Sequence, residues 1–266
     1  MISSPFYKAD YEYLINVRIQ EYDISKANIS VLRQHNIIDD DQYNAYCQAD
    51  KHEREVEMGV WFKQQPHLCK LMQQTVAEAR EWFLTENNIE DHQVLYTDND
   101  SITIIDAKSD IKPYKTQYTE FIGFKMKTIY SSFYRLGPID FLYYGDQNTE
   151  SYRFKYANSE KLISLHKNGF LDLLLTLADT AQTSSFQQTV LMVKDVYRKY
   201  VNKEFPIEYY REFNQRSQFK LTPGYAFQYY SDIPPNGLDD TDISYNANLL
   251  RQLSRVFHKE YFREKR

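Results

Sequence analysis

Two carboxylates sit in a short polar turn between apolar runs in Val94-Leu95-Tyr96-Thr97-Asp98-Asn99-Asp100-Ser101-Ile102-Thr103-Ile104-Ile105. The flanking residues favour β structure, so the stretch predicts a hairpin with acids at its tip. A rigid strand pair that presents carboxylate oxygens suits a hard divalent cation. A further acid, Asp23, lies near the end of the run Val17-Arg18-Ile19-Gln20-Glu21-Tyr22-Asp23-Ile24. If the two strands are neighbours, Asp23 and Asp100 can share one metal pair, an arrangement that serves phosphoryl transfer. Residue types alone favour a plain turn for Asp98-Asn99-Asp100, because Asp and Asn hydrogen-bond their own backbone there. The metal reading stays open beside it.

The elements that would hold these acids follow from the pattern around them. Residues 12–24 predict a strand through Leu14, Val17, Ile19 and Ile24, and Ala27 to Gln34 predict a helix. Asp39-Asp40-Asp41 has the character of a helix start, where acids meet exposed amides and the positive end of the dipole. A charged helix is expected over 50–65. Pro66 then opens a stronger one, with Leu68, Leu71, Met72, Val76, Ala79 and Phe83 at the three-and-four spacing of a buried face. Asn87-Asn88 should end it, just before the acidic hairpin. Residues 111–156 are rich in Tyr, Phe, Ile and Thr and predict further strands.

After Ser159 the pattern turns helical twice, with a break near Gln182-Thr183-Ser184. Leu162, Leu165, Leu173, Leu174 and Leu177 mark the first apolar face, and Val190, Leu191, Val193, Val196 and Tyr197 the second. Residues 222–242 carry Pro223-Gly224, Pro234-Pro235 and Asn236-Gly237, a long loop signal. A last helix uses Leu249, Leu250, Leu253, Val256 and Phe257 and ends in basic residues. The expected class is α+β: an antiparallel sheet with helices on one face, then a mainly helical C-terminal region.

Composition bounds the function. With 266 residues the chain can bury a sizeable core. A net charge of −5 and a pI near 5.7 weigh against a nucleic-acid binder, although a basic groove can lie on an acidic protein. The 24 tyrosines suit either base stacking or a mixed core with hydroxyls at its edge. Cys47 and Cys69 lack the number and spacing of a zinc site or disulfide framework. The six histidines show no ligand spacing. No apolar run reaches membrane length and no basic-then-apolar leader opens the chain, so a cytoplasmic protein without a membrane partner is expected.

With its acids on strands, the order resembles the palm of family B DNA polymerases. Tyr96-Thr97-Asp98-Asn99-Asp100-Ser101 matches four of six positions of that family's Y-G-D-T-D-S motif. Asp23-Ile24-Ser25-Lys26-Ala27-Asn28-Ile29-Ser30-Val31 matches D-x-x-S-L-Y-P-S-I at the acid and at Ser30, with Val31 standing for its isoleucine. Lys51 and Gly59 have the spacing of the lysine and glycine in the fingers motif K-x-x-x-N-S-x-Y-G. The likeness covers about residues 12–106. The arrangement also resembles a set of small phage proteins.

The resemblance implies a metal-dependent nucleotidyltransferase acting on nucleic acid with nucleoside triphosphates. Asp23 and Asp100 would bind Mg²⁺ or Mn²⁺, Asp98 would orient the turn, and Lys51 with Arg54 would meet the triphosphate. Asn28 stands where the family has a tyrosine that excludes the ribose 2′-hydroxyl, so sugar discrimination should be weak. Lys125, Lys127 and Arg135 would line the duplex. Arg153-Phe154-Lys155-Tyr156 is similar to a basic-aromatic segment near the primer terminus, which makes Lys155 and Tyr156 nucleic-acid contacts. Residues 1–158 would form a palm-like core with reduced fingers, and 159–266 a thumb-like or capping region with Lys259, Arg263, Lys265 and Arg266 on its last helix and tail.

The departures are specific. There is no room for the exonuclease domain that precedes the family's palm, and both middle motifs are altered. A catalytically inactive, polymerase-derived module that binds nucleic acid or a protein partner is the alternative, as is a partner subunit that completes the site. Tyr143-Tyr144-Gly145-Asp146-Gln147-Asn148 also offers Y-G-D, but without a second acid or a following apolar strand it reads as a turn.

Overall fold

The computed structural model describes residues 6–106, 114–137, 140–143, 152–155, 169–206, 209–210 and 240–265, with the side chains of the last segment described from Ser244 onward. Tyr156, Arg266, the turn at 144–148, Leu162, Leu165 and most of the 222–242 loop lie outside these residues. The strands are β1 (Tyr7–Lys8), β2 (Tyr13–Ile24), β3 (Val94–Thr97), β4 (Ser101–Ile105), β5 (Phe124–Arg135), β6 (Asp140–Tyr143) and β7 (Tyr152–Lys155). The helices are α1 (Ala27–Gln34), α2 (Asp40–Gln48), α3 (Lys51–Gln64), α4 (Pro66–Glu86), α5 (Gly169–Thr183), α6 (Phe186–Val201) and α7 (Asp240–Glu264). One seven-stranded sheet has the order β1-β3-β4-β2-β5-β6-β7. Its β1–β3, β3–β4, β4–β2, β5–β6 and β6–β7 pairs are antiparallel. The α+β class with a helical C-terminal region is therefore what the chain adopts.

Two compact units divide the chain: Met1–Asp10 with Arg18–Ile129, and Tyr11–Val17 with Tyr130–Arg266. In the first, α4 buries Val76, Ala79 and Phe83 against Tyr22, Ile24, Val94, Ile102, Ile104 and Phe124 of the strands. Successive side chains of a strand alternate between faces, so Tyr22 and Ile24 define the helix-covered side of β2. Phe83 anchors the layer, its ring 5.1 Å from Tyr22 and 4.7 Å from Phe124. A smaller cluster of Ile29, Leu32, Ile38, Met58 and Leu68 joins α1, α3 and α4.

Local sequence sets the ends of these helices. Asp39 caps α2 through a capping box with Gln42, and the Asp50 carboxylate accepts from the His52 and Glu53 amides at the start of α3. Pro66 opens α4, where its missing N–H is not needed. Asn88 follows the helix at φ +52°, a left-handed conformation that asparagine tolerates.

The second unit packs Tyr134, Phe141 and Phe154 of the strands with Phe170 and Leu174 of α5, Val193 of α6, and Leu253 and Phe257 of α7. Ser185 separates α5 from α6 and caps the latter with Gln188. Much of the tyrosine belongs to the core: Tyr96, Tyr134, Tyr200 and Tyr210 are fully buried. The Tyr200 hydroxyl donates to the Tyr209 oxygen at 3.1 Å and accepts from Asn246 at 3.0 Å. Leu191 departs from the expected apolar face and is 61 % exposed. Val190, Val193, Val196 and Tyr200 carry the buried spacing of α6, and Leu191 falls outside it.

Candidate functional site

The acidic hairpin forms as its sequence predicts. Thr97 pairs with Ile102, the Asp98 amide donates to the Ser101 oxygen at 3.1 Å, and the Ser101 hydroxyl donates to the Asp98 carboxylate at 3.3 Å. Asp98 and Asp100 are half-buried and Asn99 is exposed. β2 runs beside β4, with Asp23 directly across from Ser101. The next amide along, Ile24, donates to the backbone oxygen of Asp100 at 2.8 Å. Asp23 and Asp100 therefore stand at adjoining ends of neighbouring strands.

Each side of this junction has its own cation. Arg80 is buried on α4, in the apolar stripe between Val76 and Phe83, and donates to the backbone oxygen of Asp98. Burial lowers the pKa of its guanidinium, while the charges of Asp98 and Asp100 act the other way. On the opposite face of β2, the Lys127 ammonium lies 3.7 Å from the Asp23 carboxylate and 4.0 Å from that of Glu21. Lys127 is half-exposed, and Glu21 is 1 % exposed.

The remaining candidate residues are spread wider. Asn28 is half-buried in the first turn of α1, four residues past the strand's last residue. Lys26, at φ +52°, caps that helix and donates from its ammonium to the Cys47 oxygen at 3.0 Å. Arg54 donates to the neighbouring Tyr46 oxygen at 3.1 Å, so two cations close the last turn of α2. Lys51 is exposed and ion-paired with Glu55 at 3.6 Å. Lys125 is exposed on β5, two residues from Lys127 and on the same face.

Lys155 stands apart. It is buried, in cross-strand register with Asp140, which is itself buried and in register with Arg135 on β5. The Arg135 Nε lies 3.4 Å from the Asp140 carboxylate. Burial in this three-strand ionic row speaks against a phosphate contact by Lys155 at the surface.

Sequence reasoning passed over Glu21, Arg80 and Thr103. Two signals were available: Glu21 is two residues before Asp23 on a strand and so shares its face, and Arg80 interrupts the apolar stripe of α4. Among the described residues, no group of three or more His, Cys, Asp or Glu side chains forms a protein-only metal cage. An ion held by so few carboxylates would need phosphate oxygens or water to complete its shell, the usual habit of Mg²⁺. Thr103 is in register with Glu21, and its buried hydroxyl lacks a hydrogen-bond partner.

An α+β chain with an acid-tipped hairpin beside an acid-ending strand is the class that fold and geometry define. The family model described as Bacteriophage PBS1 gene 130 protein matches residues 5–256, and the chain belongs to that family of phage proteins. No curated protein matches it. Among the described residues, no helix is long and apolar enough to cross a membrane.

Proposed function

We propose that the chain is a metal-dependent nucleotidyltransferase built on a reduced palm like that of family B DNA polymerases, acting on a nucleic-acid strand in the host cytoplasm. The observation that carries this reading is the register that sets Asp23 across from Ser101 and ties Ile24 to Asp100. Asp23 and Asp100 would hold Mg²⁺ or Mn²⁺, and the ion would supply charge neutralisation on the reacting phosphate oxygens. Asp98 orients the turn through its bonds to Ser101, and Arg80 ties that turn to α4. Lys125 and Lys127 offer ammonium groups to backbone phosphates from one face of β5. Lys51 and Arg54, at the start of α3, serve the triphosphate, and Asn28 leaves room for a ribose 2′-hydroxyl.

Primer extension with the wild type, Asp23→Asn and Asp100→Asn tests the reading. Incorporation by the wild type that is lost in both variants is the expected result. Equal incorporation by all three, or none with any template, nucleotide or metal, would overturn it.

A second reading is a polymerase-derived binding module that has lost catalysis. The cations beside the acids favour it, since Lys127 meets Asp23 and the Arg80 guanidinium offsets part of the hairpin's negative charge. This reading predicts nucleic-acid or protein-partner binding that survives Asp23→Ala, with no turnover. Titration with Mn²⁺ separates the two: binding lost on Asp23→Ala belongs to the enzyme.

A further inference from the structure

The last helix of the second unit, α7, turns one side to the core and another to water. Leu249, Leu253, Val256 and Phe257 are buried. At 3.6 residues per turn, Asn248, Arg251, Arg255, Lys259 and Phe262 fall in one stripe on the other side, and all five are exposed. The three cations stand about 6 Å apart along the axis. From Ser244 onward the acids of α7 are Glu260 and Glu264, and both lie off the stripe. Glu260 is buried and ion-paired with Arg263 at 3.0 Å.

The counter-charge to the stripe comes from Glu12. Its carboxylate lies 3.7 Å from Arg255 Nε and accepts from the Lys259 ammonium. Three cations around one carboxylate leave positive charge in excess, on a chain whose formal net charge is −5. At the end of the row Phe262 is 59 % exposed, its ring set edgewise to Tyr261. Regular positive charge that ends in an exposed aromatic suits a strand whose phosphates repeat and whose bases can stack. A lipid surface would need the apolar side of the helix, and that side is packed in the core.

We propose that this stripe of α7 binds single-stranded nucleic acid, with Arg251, Arg255 and Lys259 on backbone phosphates and Phe262 stacked on a base. Glu12 is its internal competitor, holding Arg255 and Lys259 until phosphate displaces it. The inference goes beyond the reading above, which places the strand on β5, and it uses neither Asp23 nor Asp100.

Fluorescence anisotropy of the full chain with a labelled oligothymidylate of about 15 nucleotides, over a series of salt concentrations, tests it. The logarithm of wild-type affinity should fall linearly with the logarithm of salt concentration. Arg251→Gln combined with Arg255→Gln should reduce that slope by about 0.7 for each cation lost. Binding at low salt should weaken at least about tenfold in the same variant. Glu12→Gln, which releases two cations, should tighten binding several-fold, whereas a purely structural role for Glu12 would not. Phe262→Ala should weaken binding about tenfold with the slope unchanged. Circular dichroism and urea unfolding of each variant confirm the fold.

Unchanged affinity in the folded double variant or in Glu12→Gln, or no strand binding by the wild type, overturns the inference. So does binding to phosphatidylserine vesicles that the double variant loses while its strand binding stays. Binding lost in the α7 variants and kept in Asp100→Asn supports the inference whether or not the chain incorporates nucleotides, so primer extension alone decides the nucleotidyltransferase reading.

Discussion

The guanidinium of Arg80, buried on α4, donates to the backbone oxygen of Asp98 at the tip of the β3–β4 hairpin. The contact joins helix to turn and places a positive charge beside Asp98 and Asp100. Replacing Arg80 by Met would take the donor from the Asp98 backbone oxygen and the nearby positive charge from two carboxylates. The expected cost is about 1.5–3 kcal/mol, the range for a hydrogen bond made by a charged group. Urea unfolding should show it as a lower midpoint, with Arg80→Lys recovering part because charge returns without the planar fork. A midpoint equal to the wild type in Arg80→Met would show that the turn holds itself.

In the second unit, Asp140 links three strands, facing Arg135 on one side and Lys155 on the other. Removing one member of a buried ionic group strands the others in low dielectric, so Asp140→Ala should cost about 3–5 kcal/mol. Replacing all three together with Met, Leu and Met should recover most of that loss, because the row itself then holds no charge in low dielectric. Denaturation midpoints of the single and triple variants decide the matter. A triple variant no more stable than Asp140→Ala would mean that the ionic row contributes more than its own desolvation costs.

Stability should fall in alkali through particular tyrosines. Burial, reinforced by neighbouring carboxylates, pushes the hydroxyls of Tyr13, Tyr46 and Tyr143 up to about 12; the carboxylates are Glu260, Glu57 and Asp179 in turn. A group whose pKa rises on folding favours the folded state while it keeps its proton. The contribution is full below the unfolded value of 10.0 and disappears as pH climbs to about 12. Tyrosinate absorbance should show these groups titrating late in the folded chain, and Tyr13→Phe should flatten the loss of stability over that window. Ionisation of every tyrosine together near the ordinary value would contradict the packing.

Much of this architecture is legible in the sequence where the signal is local. The hairpin follows from Asp and Asn between β-prone runs, and α2 and α6 begin where Asp39 and Ser185 can cap them. The last helix reads correctly because Leu249, Leu253, Val256 and Phe257 keep one face, all of it buried. What escaped depends on neighbours distant in sequence. Glu21 reads as a solvated charge until β4 and β5 flank its strand. Lys155 reads as a surface cation until Asp140 is set across from it. Arg80 breaks an apolar stripe for a reason that lies in the hairpin, 18 residues further on.

The fingers lysine offers a separation of structure from binding. Lys51 is exposed and its bond to Glu55 spans one helical turn at 3.6 Å. Such a pair is worth at most about 0.5 kcal/mol, since water and salt screen both charges. Lys51→Met should therefore leave the unfolding midpoint almost unchanged, with α3 still capped by Asp50. If Lys51 meets the triphosphate, the same variant should weaken nucleotide binding about tenfold, the scale of one lost charge-assisted contact. Titration with a nucleoside triphosphate in Mn²⁺, beside a urea curve on the same preparation, gives both numbers. Unchanged nucleotide affinity would return Lys51 to an ordinary solvated place on the helix, whereas a large loss of stability would mean that the Lys51–Glu55 pair holds more of the α3 entrance than its exposure suggests.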